Sequence, residues 1–320
     1  MFKRISFLCF SVVILSANIC LAQDVIDEFP KGSINWSKGI VTAIGSGVPP
    51  SGAGNMAQAR LLAERAAISD ARRNLLEIVG EVRVDAVSTV GTLMAKRDIV
   101  VTKVNGIVKG SIVTERRYLD DGSIEVTVEM PITGAFLNVM FSEVRSVPSV
   151  TMPLPVPKPK KKDLPKIEVK VPTIPPAPPE PPVPAVPSEP VKEAKVTPEP
   201  EKLDLTKVNY SGLIIDAREI DVKPALMPKV LDEKGSVIYS SANMQKEDAV
   251  KTGVVGYAKE VDAAKKHPRV TETPIVIAAL KGSGGNRSDV VISDRDSGII
   301  TTTEPALGYL KKGRVMIVYR

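Results

Sequence analysis

A glycine-rich stretch between a predicted strand and a predicted helix is the first segment of this sequence whose residues could do chemistry. It reads TAIGSGVPPSGAGNMAQARLLAERAA and runs from Thr42 to Ala67. A phosphate-binding P-loop ends in Gly-Lys-Ser/Thr, which is missing here. A dinucleotide fingerprint needs a glycine at the sixth position from Gly45, where Pro50 stands. We therefore expect no bound nucleotide.

Two acidic residues and the single histidine are further candidates for catalysis. Asp120 and Asp121 are adjacent in a predicted Asp-Asp-Gly-Ser turn, where neighbouring carboxylates seldom share one proton. His267 lies in the lysine-rich stretch AAKKHPRV. It has no nucleophile elbow with which to form a Ser-His-Asp triad. The turn explains the two aspartates, and a solvated turn explains the histidine.

Three later aspartates, Asp289, Asp294 and Asp296, raise the question of calcium. An EF-hand needs oxygen ligands at regular positions that end in a glutamate, and this pattern is absent. Ser293, with an aspartate three residues later, fits a helix cap better. The glycines of KGSGGN, residues 281–286, suit an exposed loop as well as a ligand contact. We predict no catalytic, cofactor-binding or metal-binding residue, no cofactor and no enzyme.

The first 22 residues predict export. Lys3 and Arg4 precede an apolar core from Ile5 to Leu15, and Ala22 fits a signal-peptide cleavage site. A retained anchor is one alternative, although the core is short for a membrane span of about 20 residues. Lipidation of Cys20 is another, although Ile19 stands where a small residue is expected. We expect a periplasmic or outer-membrane-associated protein.

Charge and cysteine content narrow the function further. Both cysteines, Cys9 and Cys20, lie in the predicted signal peptide, so the exported chain has no thiol. The formal net charge is +6, and removal of Lys3 and Arg4 lowers it to +4. Nucleic-acid binding requires a concentrated basic face, and the only dense basic cluster, PKPKKKDLPK, lies in a proline-rich stretch. We expect neither a nucleic acid nor a nucleotide as partner.

Proline content divides the chain. Residues 148–200 contain 18 of its 27 prolines. Proline lacks the backbone donor that helices and sheets use, which predicts a disordered, extended linker. We predict a signal peptide over 1–22, an N-terminal α+β domain over 23–147, the linker over 148–203 and a C-terminal α+β domain over 204–320.

Both predicted domains combine a mostly antiparallel sheet with packed helices. In the first, a strand over Ile34–Ile44, which holds Trp36, precedes a long helix that begins after Asn55 and ends at Gly80. A second strand is predicted over Val82–Val90, a hairpin surrounds Asp120, and a short helix follows. The helix has an apolar stripe, and its charged residues form the pairs Arg60–Glu64 and Arg73–Glu77. The stripe consists of Leu61, Ile68, Ala71, Leu75 and Ile78.

The second predicted domain has apolar strands in VNYSGLIIDA, TPIVIAAL, DVVIS and GRVMIVY. A hairpin is predicted at Glu233-Lys234-Gly235, and a weak helix is interrupted at Gly253 and Gly256. Ser293 is predicted to cap a further helix.

Three segments of the first domain resemble a bacterial envelope family. They are the loop from Ala43 to Pro50, the helix from Ala59 through Gly80, with its D-A-x-R-N-L-L-E run, and the stretch from Gly110 to Val128. The family is typified by the twenty-kilodalton outer-membrane lipoprotein, and the N-terminal domain of the flagellar H-ring protein looks similar. The resemblance covers about Trp36 to Met140. It implies an exported, envelope-associated domain that is not an enzyme.

Two classes of function remain open. The leading hypothesis is a structural or assembly accessory that binds envelope proteins, in its more specific form in a flagellar ring. Possible partners also include the outer membrane or peptidoglycan. The alternative is a periplasmic ligand-binding or peptidoglycan-binding module.

Overall fold

The computed structural model describes residues 23–145, 210–271 and 273–320. The predicted signal peptide and linker lie outside these residues. We call residues 23–145 the N-terminal lobe and residues 210–320 the C-terminal lobe. Both belong to one compact unit, and one hydrophobic core cluster draws residues from both.

The N-terminal lobe contains a five-stranded sheet in which every pairing is antiparallel. In spatial order the strands are β1 (Ile26–Phe29), β2 (Gly32–Asn35), β3 (Ile40–Gly47), β5 (Ile124–Pro131) and β4 (Ile112–Tyr118). Alternate residues of β5 are buried, as expected for a sheet with one face covered. The predicted hairpin around Asp120 is confirmed, because β4 and β5 pair directly.

Four helices of this lobe lie within the described residues. They are α1 (Met56–Glu81), α2 (Val90–Lys96), α3 (Asp98–Lys109) and α4 (Ala135–Arg145). The Asn55 side chain accepts a hydrogen bond from the Gln58 N–H at 2.8 Å, which confirms the predicted cap. The predicted end at Gly80 is wrong by one residue, since the helix continues to Glu81.

The α1 helix packs closely on β3 because both elements have small residues where they meet. A side chain on Gly45 would place its Cβ 2.0 Å from the Ala71 nitrogen, and one on Gly47 would lie 2.1 Å from the Ala63 oxygen. Gly45 and Gly47, two of the four glycines in the stretch that resembles a phosphate loop, therefore belong to the strand itself. They admit the helix backbone, which only a residue without Cβ allows.

Two polar residues of α1 complete this contact. The Asn74 side chain donates to the Ile44 carbonyl at 2.7 Å, and Asp70 accepts from the Ser46 N–H at 3.1 Å. These bonds satisfy β3 backbone groups that face the helix. Both residues belong to the D-A-x-R-N-L-L-E run, so the run has a structural role here.

The predicted apolar stripe of α1 is partly wrong. The buried face contains Ala63, Ala67, Ala71, Asn74, Leu75, Ile78 and Val79. Leu61 is 49% exposed and Ile68 only partly buried. The predicted charge pairs are also replaced, because Glu64 pairs with Arg116 of β4 and Arg73 with Asp70. The apolar periodicity predicted the position of the helix, but it did not predict that much of the buried face consists of small residues.

Two further predictions for this lobe are wrong in detail. The predicted strand over Ile34–Ile44 is two strands, and Trp36 lies buried in the turn between them. The stretch Val82–Val90 contains one isolated bridge, between Arg83 and Thr89, instead of a strand. Its backbone groups bond to the C-terminal lobe, so tertiary contacts replace the expected sheet pairing.

The C-terminal lobe contains a seven-stranded sheet in the order β8-β7-β11-β10-β6-β12-β9. Its strands are β6 (Leu213–Asp216), β7 (Val230–Leu231), β8 (Val237–Tyr239), β9 (Gly256–Ala258), β10 (Ile275–Ser283), β11 (Asp289–Ile292) and β12 (Val315–Val318). Its helices, within the described residues, are α5 (Lys246–Thr252), α6 (Val261–Lys265) and α7 (Asp294–Leu307). The Ser293 cap is confirmed, since its hydroxyl accepts from the Asp296 N–H at 3.0 Å.

The α+β class is confirmed for both lobes, but the second sheet is not mostly antiparallel. β6, β9, β10 and β12 run parallel, as do β7 and β11. Only the β10–β11 and β7–β8 pairings of the described sheet are antiparallel. β6 and β12 are buried on nearly every residue, which is typical of parallel strands. Within the described ranges, no helix combines the length and the hydropathy that a membrane crossing requires.

We expect Gly45→Ala to lower the free energy of unfolding by about 1–3 kcal/mol, because the new methyl group collides with the α1 backbone. Gly106→Ala is the matched control. It lies in α3 with no atom within 4 Å of the added Cβ, so it should stabilise by up to about 1 kcal/mol. Urea unfolding followed by circular dichroism measures both. A Gly45→Ala variant as stable as its parent would contradict the close contact.

Candidate functional site

The candidate site is an exposed groove between the start of α1 and the β4–β5 hairpin. It has a volume of about 620 Å³. Its apolar walls come from Pro49, Met56, Leu61, Tyr118 and Leu119. Met56 is 86% exposed and Tyr118 51% exposed, so large apolar surfaces face the solvent. We refer to this feature as the α1 groove.

The arrangement of α1 explains why these side chains point outwards. Where Gly45 and Gly47 of β3 approach the helix backbone, the core face of α1 holds Ala63, Ala67 and Ala71. Large apolar residues in its first turns therefore lie away from the sheet. Their exposure has no structural use within the described body, and clustered exposed apolar residues are typical of docking surfaces.

The charges at the α1 groove are unevenly balanced. The Glu64 carboxylate accepts from the Arg116 guanidinium at 2.7 Å. Asp121 accepts from the N–H and hydroxyl of Ser123, which lowers the pKa of its carboxyl group. The Arg60 guanidinium lies 5.1 Å from the centre of the Tyr118 ring and has no acidic partner among the described residues. The groove therefore offers the Arg60 cation beside an aromatic ring, and the Asp121 carboxylate as an anion without a cationic partner among the described residues.

A second feature is the interface between the lobes. The N–H groups of Leu226 and Met227 donate to the carbonyls of Arg83 and Val84 at 2.9 and 2.8 Å. Asn286 donates its backbone N–H to the Ala86 carbonyl at 2.7 Å. The glycine loop KGSGGN therefore contacts the N-terminal lobe, and this contact explains its small residues.

Aromatic and polar side chains fill the centre of this interface. Trp36 meets Tyr257 edge to face at 6.0 Å, and Tyr257 packs against Tyr319 at 5.4 Å between ring centres. The Tyr257 hydroxyl donates to the Ala225 carbonyl and accepts from its N–H. Burial raises the pKa of both tyrosines well above the usual range.

Arg83 connects this cluster to both lobes. Its guanidinium lies 5.4 Å from the Trp36 ring centre and pairs with Asp27, which also accepts from the Trp36 indole N–H at 2.9 Å. Its Nε donates to the Pro224 carbonyl at 2.6 Å. These contacts make the interface specific as well as apolar.

A small cavity of about 140 Å³ adjoins the same interface. Its lining includes Trp36, Leu137, Tyr257, His267 and Arg269. The Arg269 guanidinium donates to the carbonyls of Gly313 at 2.6 Å, Gly253 at 3.3 Å and Thr252. Burial lowers the pKa of this side chain. Its donors thus join the backbone at 252–253 and at Gly313 to the segment that holds Arg269.

Each candidate residue from the sequence has its own hydrogen-bonding role in the structure. Asp121 stabilises the turn of the β4–β5 hairpin, next to Asp120. His267 is an exposed residue after α6, and its Nδ1 accepts from the Arg269 N–H at 3.1 Å. Burial and the Arg269 charge lower the pKa of its imidazole.

The three later aspartates each have a separate partner. Asp289 accepts from the Lys229 N–H at 2.9 Å, and burial raises the pKa of its carboxyl group. Asp294 pairs with Lys234 at 3.2 Å, and Asp296 bonds to Ser293 at 2.8 Å. In the part of the chain that the structure describes, no cluster of three or more potential metal ligands occurs.

Sequence reasoning missed both the α1 groove and the lobe interface. The groove had one visible signal, the excess of alanines over large residues on one side of α1. The interface had none, because its backbone bonds join segments far apart in sequence.

One comparison with known proteins gives a match. Residues 212–320 match a family model described as the second domain of Treponema pallidum Tp0624. No curated protein matches the chain. The matched region is the C-terminal lobe, which is similar to that domain. It does not include Trp36 to Met140, so the resemblance of that region to the lipoprotein family stays a prediction.

We expect Tyr257→Phe to lower the free energy of unfolding by about 1–3 kcal/mol, since it leaves the Ala225 N–H and carbonyl buried without their partner. Tyr319→Phe is the control, because the buried Tyr319 hydroxyl lies near the Tyr257 hydroxyl but makes no well-formed hydrogen bond among the described residues. This variant should be neutral or slightly more stable. Chemical denaturation followed by Trp36 fluorescence measures both. Equal losses would show that the Tyr319 hydroxyl has a bound partner.

Asp289→Asn should be at least as stable as the parent at pH 7. Burial raises the folded-state pKa of Asp289, so the parent loses stability as rising pH ionises this group. The advantage of the variant should therefore shrink as the pH falls from 7 towards 4. Unfolding at several pH values tests this. An advantage that grows towards pH 4 would mean that the fold favours the carboxylate.

Proposed function

We propose that this protein is an exported, non-enzymatic component of the cell envelope that binds a partner protein through the α1 groove. The observation that carries the proposal is the distribution of side chains on α1, where alanines face the core while the larger Met56 and Leu61 face solvent. A structural or assembly role fits a body whose two lobes share one core. The predicted signal peptide supports export.

The more specific form of the proposal is an accessory of envelope or flagellar-ring assembly. It draws support from the resemblance of residues 43–50, 59–80 and 110–128 to the lipoprotein family. Asp70 and Asn74, which belong to that pattern, bond to the β3 backbone. A chain with the same pattern therefore has the same means of seating α1, which leaves the outer side of the helix free to differ between partners.

The alternative is a periplasmic ligand-binding or peptidoglycan-binding module. The cavity at the lobe interface, with the Arg269 guanidinium on its wall, is the observation that favours it. The two terminal nitrogens of this guanidinium already donate to three backbone carbonyls, those of Thr252, Gly253 and Gly313. The cavity is also much smaller than the 300–1,000 Å³ typical of ligand pockets. The α1 groove, at about 620 Å³, is larger than this cavity and falls within that range.

Site-specific photo-crosslinking in intact cells tests the proposal. A photoreactive residue at Leu61, inside the groove, should capture an envelope protein that mass spectrometry identifies. The same residue at Thr102, on the exposed side of α3, is the matched control and should capture at least about fivefold less.

A second experiment tests whether binding requires the apolar side chains of the α1 groove. Met56→Asp combined with Leu61→Asp should release the captured partner and leave the unfolding curve unchanged, because both side chains are exposed. Equal capture at Leu61 and Thr102, with the protein recovered free in the periplasmic fraction, would contradict the proposal.

A further inference from the structure

The strand β4 lies at one edge of the five-stranded sheet, beside the α1 groove. Among the described residues, β5 is the only strand with which it pairs. Six of its seven residues are exposed, including Ile112 and Tyr118. A free sheet edge presents unpaired backbone donors and acceptors, to which an extended peptide can add a further strand. We refer to this feature as the β4 edge.

The hydrogen bonds of the β4–β5 hairpin show which backbone groups of β4 are unpaired. The Leu119 N–H, next to the end of β4, donates across the hairpin to the Ser123 carbonyl at 2.9 Å. Residues of an antiparallel strand face its partner alternately, so Arg117 also directs its backbone groups to β5. Arg116 and Tyr118 therefore direct their N–H and carbonyl groups away from β5, towards the open edge.

The side of the β4 edge that faces α1 carries surplus positive charge. Arg116 donates to Glu64 of α1 at 2.7 Å, and the Arg60 guanidinium lies 5.1 Å from the Tyr118 ring centre. Two guanidinium groups and one carboxylate thus lie near this edge. A strand added to β4 would place residues directly opposite Arg116 and Tyr118 on the same side. An acidic residue and an apolar residue fit these two positions.

The turn of the hairpin supplies the opposite charge. Hydrogen bonds from the hydroxyl and the N–H of Ser123 lower the pKa of the Asp121 carboxyl group, so it is ionised at neutral pH. Asp121 lies three residues beyond Tyr118, after the end of β4. A basic residue of the added strand fits at this end. The acidic and basic positions of a matching strand are therefore separated along β4.

Two local features limit which strands can pair with this edge. A β-bulge interrupts the register between Val113 and Glu115, so the regular ladder of β4 covers only residues 115–118. The first three of these residues are charged. Bulges and charged side chains on edge strands prevent pairing with strands of arbitrary sequence. The β4 edge therefore favours a short strand whose charges complement its own.

We propose that the partner of the α1 groove binds as an extended strand that pairs with residues 115–118 through the backbone groups of Arg116 and Tyr118. Its segment carries an apolar residue opposite Tyr118, an acidic residue near Arg60 and a basic residue near Asp121. This inference rests on the proposed function, because it specifies how the same site holds its partner. In complexes of this kind, main-chain hydrogen bonds supply affinity and the side chains supply specificity.

A proline in the β4 edge tests the backbone contact. Arg116→Pro removes an N–H that points away from β5, so the hairpin keeps its own ladder. Arg116→Ala is the matched control, because it also removes the ion pair with Glu64 but keeps the N–H. With a photoreactive residue at Leu61, Arg116→Pro should lower capture of the partner at least about tenfold relative to Arg116→Ala, since an acceptor of the partner loses its donor. Circular dichroism confirms that both variants are folded.

Photo-crosslinking from the opposite side of the sheet is a second test, and it leaves the backbone unchanged. Glu115 lies across from Thr127, on the face of the sheet away from α1. An added strand directs alternate side chains to both faces, so a photoreactive residue in place of Glu115 should capture the same partner as one at Leu61. Glu28 is the matched control, because it is exposed on the same face of β1. It lies four strand spacings, or about 19 Å, from β4 and should capture at least about fivefold less.

Charge exchange tests the predicted chemistry of the partner. The crosslinked segment that mass spectrometry identifies should contain an acidic residue beside alternating apolar residues. Arg60→Glu should weaken capture from Glu115 several-fold, and so should a change of that acidic residue to arginine. The two changes together should restore capture, which a general loss of stability in either protein does not imitate.

The possible outcomes separate this inference from the proposed function. Capture from Leu61 but not from Glu115, with equal capture by the two Arg116 variants, would reject strand addition and leave the proposed function intact. Capture from Glu115 but not from Leu61 would support strand addition and reject the α1 groove. No capture from either position would reject both. A second copy of this chain captured from Glu115 would assign the β4 edge to self-association instead.

Discussion

The seating of α1 on β3 is the interaction on which the rest of the N-terminal lobe depends. Gly45 and Gly47 remove two side chains from the strand, and Ala63, Ala67 and Ala71 keep the helix face shallow. Since such small side chains bury little apolar area, two hydrogen bonds help to fix the register: Asp70 accepts from the Ser46 N–H, and Asn74 donates to the Ile44 carbonyl. The long helix thus gains its position from close backbone approach and two polar bonds.

The contact between the two lobes depends on different interactions from those that join α1 to β3. Leu226 and Met227 extend backbone hydrogen bonding from one lobe to Arg83 and Val84 of the other. Beside these bonds, Trp36 packs against Tyr257, and the half-buried ion pair between Arg83 and Asp27 adjoins the Trp36 ring. Segments that look like independent domains in the sequence therefore share one interior.

Local signals in the sequence predicted the elements better than their partners. The Asn55 and Ser293 caps and the turn around Asp120 follow from bonds within a few residues, and all three are present. The parallel pairing of most strands in the second sheet was not predicted, because strand pairing depends on contacts between segments that are distant in the sequence.

The candidate site was missed for a related reason. Apolar periodicity assigned Leu61 to the core, since large apolar residues are usually buried. Gly45 and Gly47 of β3 reverse this preference in the N-terminal part of α1, where the core face they approach consists of alanines. Only the pairing of strand and helix in three dimensions reveals which side of the helix is free.

The described part of the N-terminal lobe ends at Arg145, and that of the C-terminal lobe begins at Tyr210. Mechanical load on the intervening residues therefore enters the two lobes separately. When a partner holds the N-terminal lobe at the α1 groove, the share of the load that enters at Tyr210 reaches that partner only across the lobe interface. The bonds that Leu226 and Met227 donate to the carbonyls of Arg83 and Val84 lie on that route.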